Sequence, residues 1–369
     1  MSNQPLHVLH VDSAREYRGG QNQVRALVAG LKGVPNLSQT VVVRRDSRLA
    51  HETTDLGIDT RSVRWAGAMD MDAILGLVGV LRERWDLVHA HDSHSLQSVL
   101  VARALVGESA PLIAARRVDF PTRRPGVWRR ADRVIAVSRC IRSVLIRQGI
   151  EPSRVEVVYS GIDPSDLEPA RAGVLRTAAG VKPERLFVAA VGALVPHKDH
   201  ATFIRAASLV TRSRPDVDFA VFGDGPLLAS LEALVSEVGL EHRFRLPGHI
   251  PEAVRSLGDI DVFVMPSREE GLGTACIEAM LAGRPIVATK AGGLGELAGS
   301  AFRPVDPGCP EALAQEIDVL LGAAEAREAA GLKAEERGRV FTAAAMVENT
   351  LGCYTQIAHR TLSTAFKIP

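Results

Sequence analysis

Two glutamates with seven residues between them stand around the start of a short helical stretch. Glu270 and Glu278 belong to the segment 261–288, which reads as a strand, a glycine-rich loop with Gly271 and Gly273, a helix and a second strand. In an open parallel sheet such a loop lies at the carboxyl end of a strand, where ligands bind. The helix start favours a phosphate or hydroxyl oxygen, and a carboxylate can hold two adjacent hydroxyl groups. The segment therefore predicts a site for a phosphorylated, hydroxyl-rich ligand.

Two histidines end a strand in the first half of the chain. His89 and His91 lie at the end of the strand Asp86–Ala90, and their i, i+2 spacing directs both side chains to one face. Such a pair is compatible with a metal site, although no third ligand follows at a suggestive spacing. The alternative is a packed or turn-capping histidine. We expect no metal here.

The strongest basic patch is the segment Arg116–Arg133, which holds seven arginines and two aspartates with Phe120 and Trp128 interleaved. Three interpretations stay open: a solvated loop, a surface for an anionic acceptor or membrane, and nucleic-acid binding, for which no recognised motif is present. In the second interpretation Trp128 is an interfacial anchor. The patch residues are Arg116, Arg117, Arg123, Arg124, Trp128, Arg129 and Arg130.

Apolar runs of strand length alternate with amphipathic stretches of helix length along the chain, which is typical of parallel sheets built from βαβ units. We predict a doubly wound α/β domain over residues 1–165, a second one over residues 166–350, and a C-terminal helix over residues 351–369 that packs back toward the first domain. The predicted strands are Leu6–Val11, Gln39–Val43, Asp86–Ala90, Leu112–Ala115, Arg133–Val137, Val155–Val158, Leu186–Gly192, Asp218–Phe222, Arg243–Leu246, Asp261–Met265 and Pro285–Ala288.

The composition of the 369-residue chain is that of a globular protein, with 46% hydrophobic residues, 24% charged residues and a net charge of +1. Residues 1–165 carry 23 Lys and Arg against 17 Asp and Glu, whereas residues 166–369 carry 21 against 26. No apolar run has the length of a bilayer span, and the N-terminus lacks the pattern of a secretion signal. We expect a cytoplasmic protein, peripheral on the inner face of the membrane if the basic patch binds anionic lipid.

In this order the motifs resemble those of the retaining glycosyltransferases usually called GT4. The resemblance runs from Gly19–Gly20 through Gly161-Ile162-Asp163 to Ala291–Glu296, nearly the whole chain. It implies the GT-B fold, in which two doubly wound Rossmann-like domains face each other across a cleft. The first domain would then handle the acceptor and the second would bind a nucleotide sugar.

The resemblance assigns Glu270 and His91 to the donor sugar and Glu278 to the nucleotide ribose. Lys198 stands where GT4 proteins place a diphosphate-binding lysine, although a lysine at a helix start is alternatively a solvated side chain. Many family members have arginine where this chain has Ala193, so leaving-group stabilisation rests on Lys198 and backbone amides. The implied catalytic residues are Lys198, Glu270 and His91, and the implied donor-binding residues are Gly19, Gly20, Gly192, Lys198, Gly248, His249, Ile250, Gly271, Leu272, Gly273, Thr274 and Glu278.

The implied reaction moves a hexosyl-type group from a nucleoside-diphosphate sugar, UDP-sugar favoured over GDP-sugar, to an acceptor hydroxyl with retention of configuration. No cofactor or metal is implied, since Lys198 and the amides at the helix start already offset the diphosphate charge. The expected partners are the nucleotide sugar, a glycan or lipid-linked acceptor of envelope or lipopolysaccharide-type assembly, and an anionic membrane surface, without nucleic acid. Two alternatives stay open: a sugar-nucleotide epimerase and a catalytically silent nucleotide-sugar-binding protein.

Overall fold

The computed structural model describes residues 5–16, 19–67, 69–118, 124–167, 172–251 and 253–358. The chain divides into two compact units: the first comprises Met1–Gly161 and Ala343–Pro369, and the second comprises Ile162–Thr342. The expected boundary at residue 165 therefore lies inside the second unit. The expected start of the last helix at residue 351 is also late, because the helix-forming residues Ala343 to Met346 already belong to it.

The first unit is built on a seven-stranded parallel sheet in the order β3-β2-β1-β4-β5-β6-β7. The strand order reverses between β1 and β4, and such a switch point opens a crevice at the carboxyl ends of the two strands. The strands are β1 Leu6–Asp12, β2 Leu37–Arg44, β3 Asp59–Val63, β4 Leu87–Ala90, β5 Leu112–Arg116, β6 Arg133–Ala136 and β7 Val155–Val157.

Among the described residues of the first unit, Ser47, Asp70, Asp92 and Ser138 cap helices by accepting from free backbone N–H groups. Asp92 caps the helix that follows β4 by accepting from the amides of His94 and Ser95, and Gly107 ends that helix in a left-handed conformation. The helices are α1 Gly19–Leu31, α2 Arg48–Asp55, α3 Met71–Leu81, α4 Ser93–Val106, α5 Pro125–Trp128 and α6 Arg139–Arg147.

The second unit is built on a five-stranded parallel sheet in the order β10-β9-β8-β11-β12, with its switch point between β8 and β11. Three phenylalanines, Phe203, Phe219 and Phe244, pack together in its core. The strands are β8 Leu186–Val191, β9 Val217–Phe222, β10 Phe244–Gly248, β11 Val262–Met265 and β12 Ile286–Ala288, and the helices are α7 Val174–Ala179, α8 His200–Val210, α9 Leu228–Glu237, α10 Thr274–Leu281, α11 Leu294–Ala298, α12 Pro310–Leu321 and α13 Ala324–Gly338.

The last helix, α14 (Ala343–Ile357), returns to the first unit and completes its core. Met346, Val347 and Tyr354 are buried in one apolar cluster with residues of β1 and α1. A Cβ atom at Gly30 would lie 2.5 Å from Val347 Cγ2, so α1 and α14 approach closely because residue 30 has no side chain.

Five short 3-10 turns complete the described elements: Pro152–Arg154, Pro164–Leu167, Pro196–Lys198, Val254–Asp259 and Arg339–Phe341. Strand β3 has no counterpart in the sequence-based prediction, since its residues Asp-Thr-Arg-Ser-Val alternate too weakly to indicate a strand. Among the described residues, no helix has both the length and the apolar character that a membrane span needs.

Candidate functional site

The switch point of the second unit brings the predicted lysine and glutamate together. Lys198 ends the turn after β8, and Glu270 lies in the loop after β11. The Lys198 ammonium donates to Glu270 Oε2 in an ion pair whose side chains are 19% and 15% exposed. Ser267 Oγ also lies 3.5 Å from this carboxylate oxygen. The two opposite charges therefore lie at the edge of the sheet, where a ligand can replace either residue as the partner of the other.

Glu278 is buried one helical turn into α10. Among the described residues, its carboxylate has no hydrogen bond or ion pair in the structure. Burial and the nearby negative charge of Asp166 raise the pKa of Glu278 to about 8, against a smaller opposing effect of Lys198. Glu278 is thus a neutral acid at pH 7 until a partner that stabilises its anion arrives.

The loop between β11 and α10 has the backbone shape that its glycines predict. Gly273 has φ of 97° and precedes the first residue of α10, and a Cβ atom there would lie 2.5 Å from Leu294 Cδ2. The chain also passes close to Gly271, because a Cβ atom at Gly293 would lie 2.3 Å from its carbonyl oxygen. Leu272 is buried, which fixes the loop, and the amides at the start of α10 are suited to an anion.

The remaining predicted donor-binding residues of the second unit lie at the same edge of its sheet. Gly192 follows β8, and its amide donates to the Phe222 carbonyl at the end of β9. Gly248 ends β10, and the His249 amide donates to Asp224 Oδ1 at 3.1 Å. Ile250 follows in the same loop. Every residue that the sequence assigned to the donor in this unit therefore lies at or just beyond the carboxyl ends of β8, β10 and β11.

His91 of the first unit is buried and has both ring nitrogens engaged. Arg117 Nη2 lies 3.3 Å from His91 Nδ1, and His10 Nδ1 lies 3.0 Å from His91 Nε2. Because a guanidinium only donates, Nδ1 accepts and Nε2 carries the proton that it donates to His10. A contact between His91 and a sugar hydroxyl would therefore require one of these hydrogen bonds to exchange.

His10 is the third histidine that the sequence analysis did not find. It stands on β1 in register with His89 on β4, and the Tyr354 hydroxyl lies 2.6 Å from His89 Nδ1. Burial lowers the pKa of His10 to about 3 and lowers those of His89 and His91 well below the usual value, with the neighbouring histidines and Arg117 contributing for the latter two. The three imidazoles are therefore neutral at pH 7.

The same three histidines offer ring nitrogens within 4.8 Å of one another, a donor set that zinc accepts. Binding of an ion would break the hydrogen bond between His10 and His91 and place the ion beside the Arg117 guanidinium. The geometry fits a hydrogen-bonded network better than a metal centre. The absence of a metal from the mechanism stays a prediction.

Two carboxylates lie at the ends of β1 and β4. Asp92 accepts from the Ser13 amide at 2.8 Å and the Ser13 hydroxyl at 2.6 Å while it caps α4. Burial, and secondly the charge of Asp92, raise the pKa of Asp12 to about 7. Gly19 and Gly20, two of the implied donor-binding residues, form the first turn of α1, so their amides belong to a helix N-terminus.

The basic segment does not form one exposed patch. Trp128 is 2% exposed, with the buried Arg116 guanidinium 5.3 Å from its ring, so its prediction as an interfacial anchor is wrong. Arg117 turns toward His91, and Arg123 lies outside the described residues. The exposed arginines of the patch within the described part are Arg124, Arg129 and Arg130.

Sequence reasoning missed His10, Asp12, Asp166 and Tyr354. His10 and Asp12 lie on one strand two residues apart, a signal that was readable beside the His89–His91 pair. Asp166 and Tyr354 gave no such signal. Asp166 approaches Glu278, and Tyr354 approaches His89, from elements distant in the chain.

Two family descriptions match the chain. Residues 17–166 match Glycosyltransferase Family 4, and residues 175–337 match Glycosyl transferases group 1. A 2-deoxystreptamine glucosyltransferase of Streptomyces kanamyceticus is 30% identical over 80% of this chain and 82% of its own length. A D-inositol 3-phosphate glycosyltransferase of Mycobacterium sp. strain KMS is 33% identical over 59% of this chain, and the match spans half of that relative's length.

Two solved structures show the fold. Anabaena HepE in complex with UDP-glucose has a TM-score of 0.82 and 20% sequence identity over 95% of this chain and all of that chain. The lipopolysaccharide outer core galactosyltransferase WaaB, in its apo form, has a TM-score of 0.73 and 15% identity over 95% of this chain and 99% of that chain. The resemblance and fold class expected from the motifs are thus confirmed, and the chain belongs to glycosyltransferase family 4, with two Rossmann-like domains of the GT-B type.

Proposed function

We propose that this glycosyltransferase moves a hexosyl group from a UDP-sugar to an acceptor hydroxyl with retention of anomeric configuration and without a metal ion. The observation that carries the proposal is the Lys198–Glu270 pair beside the buried carboxyl of Glu278, which has no partner among the described residues. A nucleoside diphosphate sugar offers an anion to Lys198, sugar hydroxyls to Glu270 and ribose hydroxyls to Glu278. UDP is favoured because HepE, which has the same fold, was solved with UDP-glucose.

In the proposed reaction the bond from the anomeric carbon to the β-phosphate oxygen breaks, and a bond to the acceptor oxygen forms on the same face. The acceptor proton passes to the leaving diphosphate. Lys198 and the amides of Gly271–Thr274 stabilise the developing charge on that diphosphate. Glu270 holds sugar hydroxyls, and Glu278 holds the ribose. No carboxylate is assigned to the anomeric carbon, in contrast to retaining glycosidases.

For the acceptor we propose a glycan or lipid-linked molecule of envelope or lipopolysaccharide-type assembly, used at the cytoplasmic face of the membrane. The support is the similarity in fold to WaaB and the excess of basic residues over 1–165. A cyclitol is the second candidate, because the two relatives described above are named for 2-deoxystreptamine and inositol 3-phosphate.

Two experiments test the proposal. A thermal-shift screen of UDP, GDP and ADP and their sugars should show the largest stabilisation with UDP-sugars. Incubation of the selected donor with lipid-linked glycans, 2-deoxystreptamine and inositol 3-phosphate, followed by NMR of the product, identifies acceptor and anomeric configuration. Donor interconversion without acceptor would indicate an epimerase, and binding without transfer or hydrolysis would indicate a silent protein.

A further inference from the structure

The first unit has an apolar groove between α4 and α5 that lies outside the donor site. It has a volume of about 360 Å³ and is lined by Met69, Gln97, Leu100, Val101, Arg124, Gly126, Val127 and Arg130. Among the described residues that line the groove, two are arginines and none is acidic. Arg124 Nη1 donates to Gln97 Oε1 at 3.1 Å across one end of the groove.

Large exposed apolar side chains lie at the groove and on the helices α3 and α4. Met69 is 61% exposed, and Met71 and Leu75 are 63% and 58% exposed one turn apart on α3, which packs against α4. Leu105, at 65%, lies four residues after Val101 on the same face of α4. An exposed apolar surface of this kind in a globular protein marks an interaction site.

We infer that this surface, the α3–α5 face, docks on a bilayer that contains anionic lipid. The inference rests on the proposed use of a membrane-bound acceptor. Methionine and leucine side chains enter the acyl boundary, while Arg124 and Arg130 reach lipid phosphates with the ends of their long side chains. The charge complementarity is confined to the groove lining, because two acids flank Met71. Asp72 has Arg64 3.6 Å away, and Asp70 caps α3 by accepting from the backbone amides of Asp72 and Ala73.

A protein partner fits the same face less well. Protein interfaces depend on aromatic anchors in pockets, and the tryptophan of this region, Trp128, is only 2% exposed. The apolar side chains that protrude are flexible and unbranched at Cβ, which suits a fluid surface more than a fixed pocket.

The experiment is co-sedimentation of the full chain with vesicles of phosphatidylcholine and about 30% phosphatidylglycerol, a composition rich enough in anionic lipid for an electrostatic effect. Binding should fall as salt rises and should be absent with phosphatidylcholine alone. The double variant Arg124→Ser/Arg130→Ser should lose about 30-fold in vesicle affinity, at about 1 kcal/mol for each arginine. The triple variant Met69→Ser/Met71→Ser/Leu105→Ser should lose at least about tenfold.

The matched control is Val319→Ser/Leu332→Ser, because both residues are 62% exposed but lie in the second unit. It should bind vesicles like the parent. Equal binding by parent and both test variants, or no binding at low salt, overturns the inference. Sedimentation of the parent as a dimer that the triple variant converts to a monomer would overturn it in favour of a second copy.

UDP binding by thermal shift, measured on the same samples, separates this inference from the proposed function. UDP binding without vesicle binding contradicts only the docking surface. Vesicle binding without UDP binding contradicts the proposed donor and leaves the α3–α5 face as a membrane surface.

Discussion

The carboxyl ends of the two sheets differ in the charge and the hydrogen bonding of their ionisable side chains. In the second unit Lys198 and Glu270 form a charged pair, and Glu278 has no partner among the described residues. In the first unit His10 and His91 bond to each other and are neutral because they are buried. The sheet edge of the second unit therefore has charged groups available for a ligand. At the sheet edge of the first unit, most hydrogen-bonding groups of the histidines are already bonded within the fold.

This difference suggests which edge changes when a ligand binds. In the proposed reaction a diphosphate replaces Glu270 as the partner of Lys198 in the second unit, which frees the carboxylate for sugar hydroxyls. At the first unit every new contact to His91 has to displace Arg117 or His10. Substitutions should therefore act on ligand binding and turnover in the second unit, and on folding in the first.

The largest expected effect is on turnover. Lys198→Ala should lower the transfer rate at least ~10²-fold, because a preorganised cation for the departing diphosphate is lost. Steady-state kinetics with the donor found in the screen measure this effect. Lys333→Ala, an exposed lysine on α13, is the control. A near-normal rate for Lys198→Ala would mean that the diphosphate is held elsewhere.

Acid should weaken the first unit. Its buried histidines have lowered pKa values, so their contribution to stability is present above pH 6.5 and is lost as the pH falls below it. Asp12, whose pKa is raised to about 7, has the opposite effect on stability and cancels the contribution of one of the three histidines. The net of two protons corresponds to a loss of up to about 100-fold in the folding equilibrium constant per pH unit.

In the second unit the effects of acid should cancel. Glu278 contributes stability that is lost as the pH rises toward 8, whereas His200, with its pKa lowered to about 4, contributes stability that is lost as the pH falls below 6.5.

Hydrogen exchange resolved by peptide at pH 5, 6 and 7 compares the stability of β1 and β4 with that of β8 and β11. All three tryptophans lie in the first unit, so their fluorescence in urea reports that unit alone. Parallel pH slopes in the two units would contradict the comparison.

The two glutamates of the second unit should separate binding from catalysis. Glu278→Ala should weaken UDP binding by about 10- to 100-fold, the scale of a hydrogen bond to a charged group, whereas Glu270→Ala should mainly lower turnover. Titration calorimetry with UDP measures the first effect, with Glu336→Ala as the control. Unchanged UDP affinity in Glu278→Ala would remove the assignment to the ribose.

A smaller effect accompanies that binding. Ribose hydroxyls favour the Glu278 anion, so UDP binding near pH 7 should release a proton and tighten as the pH rises toward 8. Calorimetry in two buffers of different ionisation enthalpy measures this proton. Glu278→Gln should abolish the release, and a release that persists in this variant would place the proton on another group.

The smallest expected effect is that of chelation, which should be none. Lys198 and the amides at the start of α10 offset the diphosphate charge in the proposed reaction. Transfer rates measured with and without EDTA test this expectation. Loss of activity in EDTA that magnesium or manganese restores would contradict it and would reopen the histidine cluster as a metal site.

The second-unit site was predictable because its motifs are local. Strand, glycine loop and helix follow one another within 261–288, so the sequence order already places Glu270 and Glu278 at one edge. The first unit was less predictable, because His10, Arg117 and Tyr354 meet His89 and His91 from three other elements. Arginine counts also could not show that Arg116 and Trp128 turn inward, since composition contains no information on which face a side chain takes.

Helix α14 has a consequence for the synthesis of the chain. The first unit contains residues from both ends of the sequence, and Tyr354 with Met346 completes its core. During translation the strands of this unit leave the ribosome before the whole second unit, a delay on the order of tens of seconds. Until α14 is synthesised, the apolar surface that it covers, which includes Leu31, stays exposed. Chaperones should therefore recognise nascent chains at that apolar surface. Chains that end before Ala343 should stay bound to them.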